Sequence, residues 1–306
     1  MFLKIIQFSS YYRFILFSFI EMLPANIVRM RIRKMPFNFY KASKIFVENK
    51  KNPIFLDLGA NMGLFTFFIS RLGFECHSFE PHPYYFSILE KRKKLISIEK
   101  NLKPNIKIPT INKLGVSNFH GKAELFFSNK IGSHSFSKSL CIDDSGTSTI
   151  SKITTLDNYC KGIFNHNSNI FIKIDIEGDE VKSLEGAKEL IKDFSPDIFI
   201  EVRRGKFNTL DITKDFLESC GYNIFMSKNS FTKQNQIHDD IYCTKDEKID
   251  LERIDKDYKL FSRKQKICRL LNNIVHFRIA DIEQKVMRMP WGPDYKSDLK
   301  TINKKT

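Results

Sequence analysis

The sequence predicts an α/β protein built around a mostly parallel sheet. Short apolar runs alternate with segments of helical spacing, beginning with a strand from Ile54 to Leu58, a helix from Asn61 to Leu72 and a strand from Glu75 to Phe79. Glycine and proline punctuate the alternation, and no internal repeat is present. Alternating strands and helices at these spacings require right-handed crossovers, which make neighbouring strands parallel.

The next elements follow the same alternation less regularly. Pro83 to Ile98 has helical spacing, and Ile106 to Val116 is predicted to contain a third strand, interrupted by Pro109. Ala123 to Phe127 is predicted to be an added strand or hairpin arm. Residues 128–168 are polar and rich in Ser, Asn and Gly, which predicts a loop-rich stretch that shapes a site.

Regular patterning returns after residue 168. The predicted elements are a strand from Asn169 to Ile176, a helix from Glu180 to Ile191, a strand from Asp197 to Val202, a helix from Leu210 to Ser219, and two late strands, Tyr222 to Met226 and Asp240 to Cys243. The two late strands favour a reversed hairpin at the end of the sheet. The tail after Phe261 is predicted to be helical to about Met289.

The composition is that of a globular protein. The 306 residues are 42% hydrophobic and 28% charged, which excludes a collagen-like or broadly disordered chain. The six cysteines are scattered and form no CxxC pair. This spacing disfavours a zinc ribbon or a dense disulfide framework and indicates a reducing compartment, so a cytoplasmic location is expected.

The net charge of +15 is confined to the two ends of the chain. Residues 1–45 carry eight basic side chains and one acid, and residues 258–306 carry twelve and four, so the stretch between them has no net charge. A groove for a polyanion needs basic residues in the catalytic body, so nucleic acid is disfavoured as a partner. Basic ends favour contact with an acidic surface such as a membrane, although a solvated, Lys-rich surface explains them equally well.

Three regions are therefore predicted: a helical, basic segment at 1–48, an α/β domain at 49–250 and a basic helical extension at 251–306. In the first, Lys4, Arg13 and Glu21 interrupt the apolar stretch, and the uncharged run from Phe14 to Ile20 has seven residues and is too short to cross a bilayer. No favourable signal-peptide cleavage site follows it. An interfacial helix at the inner face of the membrane and a helix that caps the core are both open interpretations.

A glycine-containing turn follows the first strand, in Asp57-Leu58-Gly59-Ala60-Asn61-Met62-Gly63. Gly59 permits a tight turn, and Gly63 permits close packing of the helix on the strand. Glu80 ends the second strand 21 residues after Gly59 and can accept hydrogen bonds from both hydroxyls of a ribose. This pairing indicates an adenosine-type ligand, either a nicotinamide dinucleotide or S-adenosylmethionine.

The positions of the glycines favour the second of these ligands. Dinucleotide turns follow G-x-G-x-x-G so that the backbone can approach a pyrophosphate. Here Asn61 stands at the second glycine position and Leu64 at the third. A sulfonium and amino-acid moiety does not need a turn so free of side chains, so S-adenosylmethionine is the favoured ligand.

Charged residues close the fourth and fifth predicted strands. Alternation along a strand sends Lys173, Asp175 and Glu177 to one side, where three charges cannot simply be buried in a core. Glu201 ends the next strand. Either these residues form a structural ion cluster or they line a site, and the site is the favoured interpretation.

Taken together, the motifs resemble the FkbM-type methyltransferases. The matching segments, in order, are Asp57–Thr66, Phe79–Pro81, Gly115–Ser117, Thr155–Asp157, Lys173–Gly178, Leu184–Ala187, Pro196–Glu201 and Gly221-Tyr222. The resemblance covers about residues 50–245. It implies a Rossmann-like class I methyltransferase fold, with a mostly parallel seven-stranded sheet and a reversed terminal hairpin. It also implies S-adenosylmethionine as cofactor and methyl transfer to a hydroxyl of a sugar or natural product.

The resemblance also implies roles for individual residues. Gly59, Asn61 and Gly63 would surround the methionine part of the cofactor, Glu80 would hold its ribose and Ser117 would lie near adenine. Asp57 would orient the turn or the cofactor amino group, or cap backbone N–H groups. The candidate catalytic set is Asp175, Glu201 and Lys173. In this set Asp175 is the first candidate to orient or deprotonate the acceptor hydroxyl, and Glu177 is expected either beside it or capping the following helix.

Several alternatives stay open at this point. His134 and His82 are candidate bases, but ordinary packing histidines are the preferred interpretation. Asp143-Asp144 is interpreted as a solvated turn, and no metal is predicted. A nicotinamide-dependent enzyme and a noncatalytic module of the same fold are the alternatives to an O-methyltransferase acting on a surface glycan, glycolipid or natural product.

Overall fold

The fold is described from a computed structural model, which covers residues 37–246 except 130–131, 142, 166, 204–207 and 227–237. The helices are α1 Phe37–Asn49, α2 Leu64–Ser70, α3 Pro83–Leu102, α4 Leu156–Cys160, α5 Glu180–Glu185, α6 Lys188–Phe194 and α7 Leu210–Ser219. The strands are β1 Pro53–Leu58, β2 Glu75–Phe79, β3 Thr110–Asn112, β4 Gly115–Val116, β5 Gly121–Ser128, β6 Asp144–Thr154, β7 Asn169–Ile174, β8 Asp197–Arg203, β9 Asn223–Met226 and β10 His238–Thr244.

Seven strands form the central sheet, in the order β3-β2-β1-β7-β8-β10-β9. The pairs from β3 through β8 are parallel, whereas β10 runs antiparallel to both β8 and β9. The predicted mostly parallel, seven-stranded sheet with a reversed terminal hairpin is confirmed. The strand order reverses between β1 and β7, and a ligand crevice forms beside such a point at the carboxyl ends of the strands.

A second sheet, in the order β4-β6-β5, corrects two predictions. The single strand predicted between Ile106 and Val116 is two strands, since β3 joins the central sheet and β4 joins the small one. The stretch at 128–168 contains the eleven-residue β6, which pairs antiparallel with β5. Much of β6 is solvent-exposed, as a one-sided antiparallel strand can be, so its polar composition resembled that of a loop.

Two helices also differ from their predicted limits, for reasons of backbone geometry. The helix after β1 begins at Leu64 and not at Asn61, because Asn61 and Gly63 are in left-handed conformations. The predicted helix from Glu180 to Ile191 is broken at Gly186, where a Cβ would lie 2.2 Å from the carbonyl oxygen of Ser117.

The Thr155-Leu156-Asp157 motif has a capping role. The Thr155 hydroxyl accepts from the Asn158 amide at the start of α4, and the Asp157 carboxylate accepts from the Glu189 and Leu190 amides in the first turn of α6. These bonds satisfy amides that have no partner within their own helices. The motif therefore fixes the two helices beside the sheet and does not supply chemistry.

Aromatic side chains from α1 pack against one face of the sheet. Phe39 is fully buried, and its ring centroid lies 4.8 Å from that of Phe65, 5.4 Å from Phe171 and 5.1 Å from Phe199. The region boundary predicted at residue 48 therefore falls at the end of a helix that packs on the α/β body.

Replacing Phe39 by Ala is expected to lower the free energy of unfolding by about 3–5 kcal/mol, because it removes a fully buried ring at the centre of this cluster. Phe119→Ala is the matched control, since Phe119 is 42% exposed, and a loss under about 1 kcal/mol is expected. Urea denaturation of both variants measures the two values. Equal losses would show that α1 does not contribute to the core.

The predicted basic segment and the basic tail fall largely outside the described residues. None of the helices within the described ranges combines the length and apolar content that a bilayer crossing needs.

Candidate active site

A cavity of about 320 Å³ opens at the carboxyl ends of β1, β2, β7 and β8. This volume is near the lower limit of the ~300–1,000 Å³ typical of small-molecule sites. Its wall contains Gly59, Asn61, Phe79, Glu80, Pro81, Tyr85, Leu114, Gly115, Val116, Leu125, Gly132, His134, Phe136, Asp175, Ile176, Glu177 and Glu201. The cavity thus brings together the predicted turn, the acid that follows β2 and the acids of β7 and β8.

The turn after β1 is held tightly against β2 and β7. The Gly59 and Ala60 amides both donate to the carbonyl oxygen of Phe79, at 3.1 and 3.0 Å. Gly59 has φ +79°, and a Cβ on it would lie 1.9 Å from the carbonyl oxygen of Asp175. A side chain is therefore excluded both by conformation and by space.

Gly59→Ala is expected to destabilise the protein by about 3–5 kcal/mol, because the new methyl group meets backbone and not a movable side chain. Gly162→Ala is the control: Gly162 has a similar φ of +76° but nothing within 4 Å of the added Cβ. Only the conformational cost, about 1–2 kcal/mol, is expected there. Denaturant unfolding of the pair checks this, and equal losses would contradict the contact with β7.

Glu80 connects this turn to the segment after β2. Its Oε2 accepts from the Asn61 amide at 2.7 Å, and its Oε1 accepts from the His82 amide at 2.8 Å. The side chain is 6% exposed, and burial raises the pKa of Glu80 to about 7. Each oxygen retains a lone pair, so an ionised Glu80 can still accept a hydrogen bond at each from a ligand hydroxyl.

Three predicted site residues lie beneath the cavity and not in its wall. Asp57 is fully buried, and its Oδ2 accepts from the amide and the hydroxyl of Thr66, so it caps α2. Gly63 precedes α2 with φ +81°, where a Cβ would meet the side chains of Leu89 and Phe67.

Lys173 is the third of these residues. It is 3% exposed, and its Nζ lies 3.1 Å from Asp175 Oδ2 and 3.8 Å from Asp57 Oδ1. It does not line the cavity, which corrects its placement among the residues that touch substrate. Alternation along β7 predicted the side on which Lys173 lies but not its depth.

Asp175, Glu177 and Glu201 form a carboxylate cluster at the other side of the cavity, with one oxygen of each within 4.8 Å of the others. Asp175 is paired with Lys173, and Glu177 Oε2 lies 2.6 Å from Arg203 Nη2. Burial and the neighbouring carboxylates raise the pKa of Glu201 to about 9, so Glu201 carries a proton at neutral pH. The cluster thus combines two carboxyl groups in ion pairs with one carboxylic acid donor.

The expected helix-capping role of Glu177 is not what the structure shows. The carboxylate of Glu180 accepts from the Gly178 amide at 2.9 Å, whereas Glu177 pairs with Arg203. Three carboxylate oxygens at this separation could share one hard divalent cation. Two of the three acids, however, are already paired with buried basic side chains.

The charges that line the cavity distinguish between the candidate ligands. Four acids line it, and no Lys or Arg does so among the described residues. The pyrophosphate of a nicotinamide dinucleotide would add negative charge to this wall. A sulfonium compound with an ammonium group brings positive charge and is electrostatically complementary to it.

A segment between β5 and β6, residues 132–141, covers part of the cavity. Ser135 pairs with Phe126 of β5 through the backbone and donates its hydroxyl to the carbonyl oxygen of Glu177 at 2.8 Å. Gly132, His134 and Phe136 of the segment line the cavity. The polar stretch was thus correctly predicted to shape a site.

His134 and His82 are packed side by side and are not arranged as bases. Their ring centroids are 4.3 Å apart. His134 Nδ1 accepts from the Ser128 amide, which leaves Nε2–H to donate to the Tyr85 hydroxyl at 3.3 Å. Burial lowers the pKa of His134 to about 4, so it is neutral at physiological pH.

Two further predicted positions lie away from the cavity wall. Ser117 is fully buried and donates to Asp179 Oδ2 at 2.9 Å, whereas its neighbours Gly115 and Val116 line the cavity. Asp144 begins β6, where its carboxylate accepts from the Gly146 amide.

Sequence reasoning missed Tyr85 and Phe136 as lining residues. Tyr85 is one of the apolar positions whose spacing predicted the helix α3, and helical spacing alone does not indicate which residues line a cavity. Nothing in the local sequence indicated that Phe136 would lie against Gly115.

The family profile of the Methyltransferase FkbM domain matches residues 57–224, which is more than half of the chain. No curated protein sequence gives a significant match. A solved FkbM methyltransferase from Methylobacillus flagellatus KT is similar at 16% identity and a TM-score of 0.43, covering 64% of this chain and 45% of that one, so the chain spans less than half of that protein.

Two further solved structures resemble the chain. Magnesium protoporphyrin IX methyltransferase from Synechocystis PCC 6803, with bound S-adenosylmethionine, has 9% identity, coverage of 69% and 78% of the two chains and a TM-score of 0.39. A putative methyltransferase from Streptococcus mutans, in complex with S-adenosylhomocysteine, has 14% identity, coverage of 67% and 96% and a TM-score of 0.37. On the strength of the profile match, the chain belongs to the FkbM methyltransferase family.

Proposed function

We propose that this chain is an S-adenosylmethionine-dependent methyltransferase that acts on a hydroxyl group of a sugar in a surface glycan, a glycolipid or a natural product. The observation that carries the proposal is the carboxylate cluster in the same cavity as Glu80. Carboxylates are the groups that accept hydrogen bonds and a proton from a hydroxyl.

The residues around the cavity fit the cofactor. Gly59 brings the turn directly against β7, and both oxygens of Glu80 have a remaining lone pair for a ribose diol. In the sheet order, β7 lies two strands from β2, so Glu80 and Asp175 are separated by roughly 10 Å at the usual strand spacing. When bound, S-adenosylmethionine supplies a methyl group already activated by its sulfonium.

The three acids of the cluster are assigned different tasks. Asp175 orients the acceptor hydroxyl and takes its proton, and Lys173 Nζ, 3.1 Å from Oδ2, holds the Asp175 side chain in place. Glu201 is protonated at neutral pH and donates a hydrogen bond to an acceptor oxygen. Glu177 forms an ion pair with Arg203 and contributes to the cavity wall beside Asp175 and Glu201.

The charge of the cavity wall restricts the acceptor. A phosphate or carboxylate beside the reactive hydroxyl would be repelled by the cluster, since no Lys or Arg of the described residues lines the cavity. A neutral polyol offers several O–H donors to the same oxygens. This supports a neutral sugar as the acceptor.

Mass spectrometry of surface glycans tests the proposal. A strain that carries Asp175→Asn at the native locus is expected to lose one O-methyl group from a single sugar, compared with its parent. The Lys182→Met strain, altered at an exposed lysine paired with Asp179, is the control and should retain it. An unchanged glycan profile, with the methyl group found on nitrogen or on nucleic acid, would contradict the hydroxyl assignment.

The nicotinamide alternative and the noncatalytic alternative give different results. In a calorimetric competition, S-adenosylhomocysteine is expected to bind and NAD to leave its affinity unchanged. Displacement by NAD would favour the nicotinamide enzyme. Binding without turnover on any acceptor would favour the noncatalytic module.

The proposed cellular setting is the cytoplasmic face of the membrane, with the basic ends of the chain as the contact. Each basic residue near an anionic surface contributes about 1 kcal/mol. Replacing Arg29, Arg31, Arg33 and Lys34 by Gln in the full-length chain is therefore expected to weaken flotation with vesicles that contain phosphatidylglycerol. Equal flotation of the variant and the parent, or binding of neither, would contradict the contact.

A further inference from the structure

We infer that Lys173 is a positioning residue that holds Asp175 in place and at the same time compensates the buried carboxyl group of Asp57. The inference rests on the proposed function, because it concerns the acid that receives the acceptor proton. Lys173 does not line the cavity and acts only through its neighbours.

The register of the sheet places this lysine between the two acids. Asp57 of β1 and Lys173 of β7 are direct cross-strand partners, and Asp175 follows Lys173 by two residues on the same side. The lysine Nζ is 3.1 Å from Asp175 Oδ2 and 3.8 Å from Asp57 Oδ1. One buried ammonium therefore serves two carboxylates that belong to different strands.

The Lys173 ammonium is buried and packed among aromatic side chains, which restrict its position. Lys173 is 3% exposed, and its Nζ lies 4.5 Å from the centre of the Phe65 ring. Phe65 is in turn packed edge-to-face against the fully buried Phe39 of α1. Solvent has little access to Nζ, whereas the Asp175 side chain is 37% exposed, so the buried ammonium is the contact that holds Asp175 Oδ2 at the edge of the cavity.

Asp57 gives the arrangement its second function. Its Oδ2 is fully engaged in capping α2 through Thr66, whereas its buried Oδ1 has no hydrogen-bond partner among the described residues. The nearest compensating charge is Lys173 at 3.8 Å. Removing the ammonium therefore has two separable consequences: Asp175 loses its anchor, and Asp57 becomes an uncompensated buried charge.

Asp57→Asn separates these consequences, because it removes the buried charge while keeping an oxygen and a similar shape. The variants are Lys173→Met, Lys173→Met with Asp57→Asn, Asp57→Asn alone and Asp175→Asn. Lys182→Met is the control, since Lys182 is an exposed lysine that also forms an ion pair with an aspartate, Asp179, and does not line the cavity. Denaturant unfolding is expected to show a large loss for Lys173→Met and substantial recovery in the double variant.

The position of Asp175 is measured without an acceptor, by calorimetry with two ligands. Sinefungin carries an amine where S-adenosylmethionine carries its transferable methyl, and S-adenosylhomocysteine has neither group. The wild type is expected to prefer sinefungin by about tenfold, the value of one charge-assisted hydrogen bond. Asp57→Asn and Lys182→Met should keep this preference, whereas Asp175→Asn and the double variant should both lose it.

The outcomes distinguish the inference from the proposed function. If the wild type binds neither ligand, the proposed function fails. If the wild type binds with the expected preference and the folded double variant keeps it, Lys173 only neutralises Asp57 and the positioning role is wrong. Loss of the preference in Asp57→Asn alone would also overturn the inference, because that variant leaves the Lys173–Asp175 pair intact.

Discussion

Replacing Asp175 by Asn is expected to slow methyl transfer by about 10²–10⁴-fold while changing the affinity for S-adenosylmethionine by less than about threefold. The amide keeps an oxygen for Lys173 Nζ, which is 3.1 Å from the carboxylate, but it cannot take a proton from the acceptor. Radiolabelled methyl transfer to a purified glycan acceptor measures the rate, and calorimetry measures the affinity. A variant that retains the parental rate would exclude Asp175 as the base.

Glu201→Gln is the matched comparison in the same cluster. Burial and the neighbouring acids raise the pKa of Glu201 to about 9, so the neutral amide resembles the group present at neutral pH, and a loss below about tenfold is expected. Above pH 9 the wild-type side chain ionises, no longer donates and adds charge to the cluster. The wild-type rate should therefore decline above pH 9 and the Gln variant should lack this decline. A larger loss in Glu201→Gln than in Asp175→Asn would reverse the two assignments.

Replacing Glu80 by Ala is expected to weaken S-adenosylmethionine binding by about 10²–10³-fold. The variant loses two hydrogen bonds from the ribose hydroxyls to a charged acceptor, each worth about 1.5–3 kcal/mol. Water that enters the space can bind the ribose hydroxyls and restores part of this free energy, so the expected loss of affinity lies below the full sum. The Asn61 and His82 amides also lose their acceptor, which loosens the turn. Calorimetry measures the change. Unaltered affinity would remove Glu80 from the cofactor site.

The protonation of Glu80 adds a pH dependence to this binding. Because burial raises the pKa of Glu80 to about 7, the carboxyl is protonated below pH 7 and cannot accept at both oxygens. Affinity should fall about tenfold for each pH unit below 7 and level off above it. Glu80→Gln should bind more weakly than the wild type at pH 8 and show no such slope. A wild-type affinity that is constant between pH 5.5 and 8.5 would contradict this role.

The central sheet was predictable because inner strands such as β1 are buried on both faces and are mostly apolar. The small sheet was not, since β6 is rich in Ser and Thr and much of it faces solvent. Gly186, where the predicted helix breaks, lies against the carbonyl of Ser117, which is a contact between residues distant in sequence. Local sequence patterns cannot predict such a contact.

The site was predicted in part for the same reason. Chain topology alone places Glu80, Asp175 and Glu201 at the ends of their strands, and all three line the cavity. How deeply a side chain is buried depends on the tertiary structure. The side of β7 on which Lys173 lies was therefore predicted correctly, but its inclusion among the residues that touch substrate was wrong. Glu177 follows β7 and Arg203 ends β8, and the two residues form an ion pair through their side chains. Residue spacing along the chain does not predict such a pair.

The most direct test of the central claim is a crystal structure with S-adenosylhomocysteine bound. The claim is that Glu80 holds the ribose while the carboxylate cluster faces the position of the transferred methyl. The ribose hydroxyls should lie about 2.6–3.2 Å from the Glu80 carboxylate, with the sulfur directed toward Asp175 and Glu201. A ligand bound elsewhere, or a turn at residues 59–63 closed against it, would contradict the claim.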